Sequence, residues 1–142
     1  MHLATIAATL PRVAARSTPP DFAAAFAALK GVLAGHLGQL ALKTDTPAGF
    51  VLVTKTPSPF PQHKGQPMYF GEVRLGKAYV SFHLLPLFMN PELVATISPA
   101  LRKRMQGKAC FNFKAAPEPA LLAELERLTE AGMKVFRSRK WL

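Results

Sequence analysis

The sequence predicts an α+β domain in which N- and C-terminal helices cover one face of a five-stranded, mostly antiparallel sheet. Three observations carry this expectation. Residues 22–37 and 119–136 repeat apolar side chains every three or four positions, as helices lying on a core do. Between them, β-branched and aromatic runs are broken by Gly, Pro and Asp, as in strands joined by turns. The first four of these runs follow one another as a meander. A length of 142 residues suits one domain. Residues 1–20 read as a flexible or weakly ordered arm, and residues 21–142 as a single domain.

In chain order, Pro19 and Pro20 stop any earlier helix and Asp21 is placed to cap the next one. Phe22, Phe26, Leu29, Leu33 and Leu37 fall on one helical face, and Gly35 and Gly38 bracket its end. Residues 40–45 predict a strand, 46–49 a turn, and 50–56 (FVLVTKT) a second strand. Pro57, Pro59, Pro61 and Pro67 make residues 57–67 an exposed loop.

Residues 69–85 predict a hairpin with Gly76-Lys77 as a two-residue turn. That turn pairs Leu75 with Ala78, Val73 with Val80 and Gly71 with Phe82 on an apolar face. Arg74 with Tyr79, Glu72 with Ser81, and Phe70 with His83 share the opposite face, because strand side chains alternate. Residues 91–97 read as a short helix, and Ser98-Pro99 as the capped start of another that ends at Gly107. Residues 108–114 (KACFNFK) form the fifth strand, with Ala109, Phe111 and Phe113 inward and Cys110 and Asn112 outward. The last helix turns Leu121, Leu125, Leu128, Gly132 and Val135 to the core.

Charge is the compositional anomaly: 18 Lys and Arg less 8 Asp and Glu give +10. Such a surface attracts polyanions in a salt-dependent way, but net charge specifies neither fold nor partner. No apolar run approaches the ~18–20 residues of a membrane span, so no membrane partner is expected. The one cysteine, Cys110, has no internal partner for a disulfide, and a reducing, cytoplasmic location is expected. Residues 1–20 hold Arg12 and Arg16 and no acid, similar in composition to an organelle presequence. They do not read as a secretory signal, since no positive residue precedes the apolar stretch.

Three segments, YFGEVRLGKAYVSFHLLPL (69–87), LRKRMQGKACFNF (101–113) and LLAELERLTEAG (121–132), resemble the YdhG-like family of uncharacterised bacterial proteins. In that family a hairpin runs into an "lyPLP"-type end, and a "tGKgtIrF" strand precedes the final helix. HLLPL and QGKACFNF are the counterparts here, and the resemblance spans residues 22–133. It implies a frataxin-like α-β-α layout. One branch of the family is regarded as an iron chaperone, which implies an acidic iron-binding surface. This chain departs from that: its acids are Asp21, Asp45, Glu72, Glu92, Glu118, Glu124, Glu126 and Glu130, and only Glu126 and Glu130 share a dense helical face. Iron on hard oxygen ligands needs several convergent carboxylates, so the iron role is not carried over.

No sequence feature identifies an enzyme. His2, His36, His63 and His83 show no i,i+4 or i,i+2 spacing, so no metal is expected. Neither G-x-x-x-x-G-K-[ST] nor G-x-G-x-x-G occurs, and no cofactor is expected. Cys110 could be activated by Lys108 and Lys114, yet no base lies at a readable spacing. Two readings from different classes remain. In the first, Glu72, Arg74, Tyr79, Ser81 and His83 share a sheet face that binds a small molecule or a partner protein. In the second, Arg102, Lys103, Arg104 and Lys108 contact nucleic-acid phosphates. The plainer account of that cluster is cations favouring a helix C-terminus. Oligomeric state is not legible.

Overall fold

The computed structural model describes residues 19–142. Apart from Pro19 and Pro20, the arm expected over residues 1–20 lies outside the described residues. Asp21 caps helix α1 (Phe22–Ala34): its side chain accepts from the Ala24 N–H at 3.0 Å. Six antiparallel strands follow: β1 (Ala41–Thr46), β2 (Gly49–Pro57), β3 (Pro67–Leu75), β4 (Val80–Leu84), β5 (Met105–Gln106) and β6 (Cys110–Phe113). They lie in the order β1-β2-β3-β4-β6-β5. The fold class is thus α+β, with six strands where five were expected. The extra one arises because Gly107 adopts φ +74 and folds Met105 and Gln106 back onto Phe111 and Cys110. Short helices α2 (Leu85–Met89), α3 (Pro91–Val94) and α4 (Pro99–Arg102) link β4 to β5, and α5 (Pro119–Ser138) closes the fold.

Both long helices cover the same sheet face. Leu29 and Leu33 of α1, and Leu125, Leu128 and Phe136 of α5, join Leu52, Phe70, Val73, Phe82 and Phe111 in one buried cluster. The helical stripes differ in part from expectation. α1 ends at Ala34, so Leu37 leaves the helical period and is exposed, while Ala25 and Val32 are buried. In the last turns of α5, Met133 and Phe136 are buried and Val135 only partly. The Phe136 ring meets Phe70 edge-on at 5.1 Å, and this larger apolar group takes the inward position.

Two register features set the open face. First, Leu75 pairs with Val80 and Glu72 with His83. The connection is therefore residues 76–79, not the two-residue Gly76-Lys77 turn, and the Gly76 N–H donates to the Tyr79 carbonyl at 2.9 Å. This alignment sets Val80 between Leu75 and Phe113. A slip of two residues keeps side-chain parity, so Val80, Phe82 and Leu84 still point inward, and Ser81 and His83 outward.

Second, Leu52 pairs with Gly71 but Val53 pairs with Tyr69, leaving Phe70 as an extra residue in a β-bulge. Met68, Phe70, Gly71 and Val73 are all buried as a result. Phe70, expected opposite His83 on the polar face, is in the core, and Tyr69 emerges in its place. Gly71 makes this possible, because it has no side chain to compete with Phe70 for the inner face.

The prolines also differ from expectation. Pro57 and Pro67 pair at the open end of β2 and β3, and only the residues between them connect the strands. Where that ladder breaks, Thr54 Oγ1 accepts from the Met68 N–H at 2.8 Å and donates to the Thr56 carbonyl at 2.8 Å.

Candidate functional site

On the sheet face away from the helices, strand pairing lines polar side chains into two transverse rows. Glu72, His83 and Cys110 form one, and Arg74, Ser81 and Asn112 the other. The bulge adds Tyr69 beside the first row. Tyr69, Glu72, Arg74, Ser81, His83 and Cys110 line a depression of about 290 Å³. Of the five residues expected to bind from this face, four line the depression, Glu72, Arg74, Ser81 and His83.

Much of this strip is already engaged. The Tyr69 hydroxyl donates to Glu72 Oε1 at 2.9 Å, and Arg74 Nε donates to Glu72 Oε2 at 3.0 Å. Arg74 Nη2 lies 3.0 Å from the same oxygen. The Ser81 hydroxyl donates to Asn112 Oδ1 at 2.8 Å, the Cys110 thiol reaches that oxygen at 3.7 Å, and the Asn112 amide donates to Gln106 Oε1 at 2.8 Å. His83 is the exception. Its ring meets Tyr69 edge-on at 5.9 Å, and among the described residues no hydrogen bond engages the imidazole.

Burial decides the protonation states. It lowers the pKa of His83, against the opposing pull of Glu72, so the ring is neutral near pH 7 with one donor and one acceptor nitrogen. Burial raises the Tyr69 phenol well above its ordinary range, and Glu72 reinforces the shift by charge and by its hydrogen bond. Burial also raises the Cys110 thiol; contact with Ser81 opposes this and Glu72 adds to it. Lys108 and Lys114, the neighbours that could have activated that thiol, are not among the causes of the shift. Cys110 is therefore held as a neutral thiol, which is a weak nucleophile.

Tyr79 does not line this depression. It belongs to the 76–79 loop, is 42% exposed, and borders a second hollow of about 440 Å³ with Lys103, Arg104, Gln106, Asn112 and Lys114. The basic cluster expected over Arg102, Lys103, Arg104 and Lys108 is divided. Arg102 Nη2 donates to the carbonyls of Val94 and Ile97 at 3.0 and 3.2 Å, which ties α3 to α4. Lys108 follows Gly107 in the β5–β6 turn, outside both hollows. Lys103 and Arg104 enter the second hollow, where Lys114, absent from the expected cluster, joins them.

Sequence reasoning thus missed Tyr69 and Lys114. The aromatic-glycine step Phe70-Gly71 inside a strand was the available signal for the bulge that exposes Tyr69. Nothing local announces Lys114, which meets Lys103 only through the pairing of β5 with β6. Among the described residues no three His, Cys, Asp or Glu side chains are arranged so that they could hold a metal ion. No described helix is long and apolar enough to cross a membrane. No protein-family model, curated protein or solved structure matches the chain.

Proposed function

We propose that the protein is a non-enzymatic binding module that holds a small polar molecule, or a polar group of a partner protein, on the open face of its sheet. The observation that carries this is the half-buried His83 ring, which no described residue engages by a hydrogen bond, in a polar hollow beside Arg74, whose side chain is 69% exposed. A buried polar group without a partner costs free energy that a ligand can recover.

The ligand chemistry follows from what remains unspent. Neutral His83 offers one donor and one acceptor. Arg74 commits Nε and one terminal nitrogen to Glu72, leaving other N–H groups for an acceptor. Glu72 balances the charge of Arg74, so an uncharged or singly anionic ligand suits the site, such as a small amide or carboxylate. A hollow of about 290 Å³ sits at the lower end for small-molecule sites.

The neutral thiol of Cys110 favours binding over covalent catalysis. A single cysteine in this state suits a reducing, cytoplasmic location. The order of helix, meander, short helices, strand and helix supports a YdhG-like relationship, though the divided acids give no support to iron binding.

The test is amide and imidazole NMR during titration with a library of small carboxylates and amides. Binders are expected to shift His83, Ser81, Arg74 and Cys110 together, and His83→Ala should weaken them about tenfold or more, as loss of a buried hydrogen-bond partner does. Binders that leave these resonances unmoved, or that ignore both His83→Ala and Arg74→Ala, would overturn the reading.

A further inference from the structure

We propose that the second hollow, at the Tyr79 end of the sheet, binds single-stranded nucleic acid, with Lys103, Arg104 and Lys114 on phosphate and Tyr79 stacked on a base. This site uses none of the groups assigned to the His83 hollow, so the two readings stand or fall separately.

The three cations converge on a firm frame. Lys103 caps α4, with its N–H bonded to the Pro99 carbonyl at 3.2 Å, and the Arg104 N–H is bonded to the Leu101 carbonyl at 2.9 Å. The Arg104 carbonyl accepts from the Asn112 N–H at 2.8 Å, which fixes it beside β6. At its other end, α4 is held by Glu124 of α5, which accepts from the Ser98 N–H at 2.7 Å and from the Ser98 hydroxyl at 2.6 Å. Lys114 directly follows β6. Its ammonium lies 5.5 Å from the Tyr79 ring centroid.

Charge argues for an anion. Elsewhere, Lys30 pairs with Asp45, Arg74 with Glu72 and Arg127 with Glu124. Among the described residues Lys103, Arg104 and Lys114 form no ion pair, and no acid lines their hollow. Three cations brought together without a counter-charge repel one another, and a bound phosphate relieves that repulsion.

The aromatic group argues for a nucleotide rather than a bare anion. Tyr79 stands on a loop, is 42% exposed and borders the same hollow. A base stacking on an exposed ring is the sequence-tolerant contact of single-strand binders, and cations along the groove follow the backbone. Gln106, whose side-chain NH2 has no partner among the described residues, adds a donor for a base edge. The volume of about 440 Å³ is ample beyond one phosphate. A duplex keeps its bases stacked on each other and cannot offer one to Tyr79. A chain carrying +10 favours a polyanion over a free nucleotide.

The full chain is titrated by fluorescence anisotropy with a labelled single strand, the matching duplex, heparin, and a mononucleotide as competitor. The single strand is expected to bind most tightly. With three phosphates contacted, affinity should drop roughly 20-fold between 50 and 200 mM salt. Tyr79→Ala should cost about tenfold while Tyr79→Phe restores binding, since the ring and not the hydroxyl stacks. Lys114→Gln with Arg104→Gln should weaken binding and flatten the salt slope, whereas Lys43→Gln, on exposed β1, should change affinity less than twofold. His83→Ala should leave this binding intact. No single-strand binding at low salt would overturn the proposal. So would equal loss in Lys43→Gln, indifference to Tyr79→Ala, heparin or duplex binding as tight as the single strand, or a mononucleotide competing as well as the strand.

Discussion

A Cβ built on Gly71 would lie 2.9 Å from the His83 carbonyl and 3.5 Å from a Leu33 methyl. The first contact is with backbone and cannot move without disturbing β4. Gly71→Ala should therefore destabilise the fold by about 1–3 kcal/mol, the usual cost of forcing atoms into a packed site. It should also shift the Tyr69 and His83 resonances. An unchanged urea midpoint with unchanged shifts would show that the bulge tolerates a side chain. His83 gives a second prediction at this scale. Its folded pKa lies below the unfolded value of about 6.5. Between the two, the unfolded chain holds more protons, so stability rises with pH and is lost as pH falls below about 6.5. The ring is only half buried, and solvent screens the effect. Urea midpoints at pH 7.5 and pH 5.5 should differ more for the wild type than for His83→Gln. An equal difference in both proteins would remove His83 from the pH response.

Within single elements, the strand β6 shows how far alternation alone reaches. Ala109, Phe111 and Phe113 are buried while Cys110 and Asn112 face outward, as their period of two requires. Phe111 is fully buried and packs 6.5 Å from the Phe82 ring. Phe111→Ala should cost about 3–5 kcal/mol in denaturant unfolding; an unaltered midpoint would refute its place in the core. β3 shows where alternation stops. One unpaired residue exchanges the faces on either side of it, so Phe70 lies in the core and not on the polar face that strict alternation gives it, while Glu72 and Arg74, beyond the bulge, keep theirs. The hairpin connection is two residues longer than a Gly76-Lys77 turn, yet Ser81 and His83 keep the outward face because an even shift preserves parity. Tyr79 does not, because it lies in the connection itself. β5 is two residues long and exists only through pairing with β6, so no local pattern could mark it. The second hollow was illegible for the same reason: Lys103, Tyr79 and Lys114 come from three separate elements. In α5, Gly132 explains the close approach to α2, since a Cβ there would fall 2.8 Å from Pro86 Cγ.

For the molecule as a whole, the buried apolar side chains of sheet and helices form one cluster, so the described domain should unfold as one cooperative unit. The chain ends by closing on that cluster. The Trp141 ring meets Phe136 edge-on at 5.1 Å and Phe60 at 5.6 Å, with the Arg139 guanidinium 5.2 Å from its centroid. The Trp141 backbone N–H donates to the Phe136 carbonyl at 2.9 Å, and its backbone carbonyl accepts from Thr56 Oγ1 at 3.3 Å. One residue thus joins the end of α5, the end of β2 and the connection before β3. Trp141 is also the only tryptophan, so its fluorescence reports on this junction alone, while far-UV circular dichroism reports on all the helices and strands. If the junction belongs to the cooperative unit, the two signals must follow the same denaturant curve with the same slope. Trp141→Ala should lower stability by about 2 kcal/mol, less than a fully buried aromatic costs because this ring is only partly covered. Trp141→Phe should recover part of that loss by keeping the aromatic contacts. A fluorescence transition that precedes the dichroism transition, with Trp141→Ala leaving the latter in place, would show that the C-terminal junction opens by itself and adds nothing to the stability of the sheet.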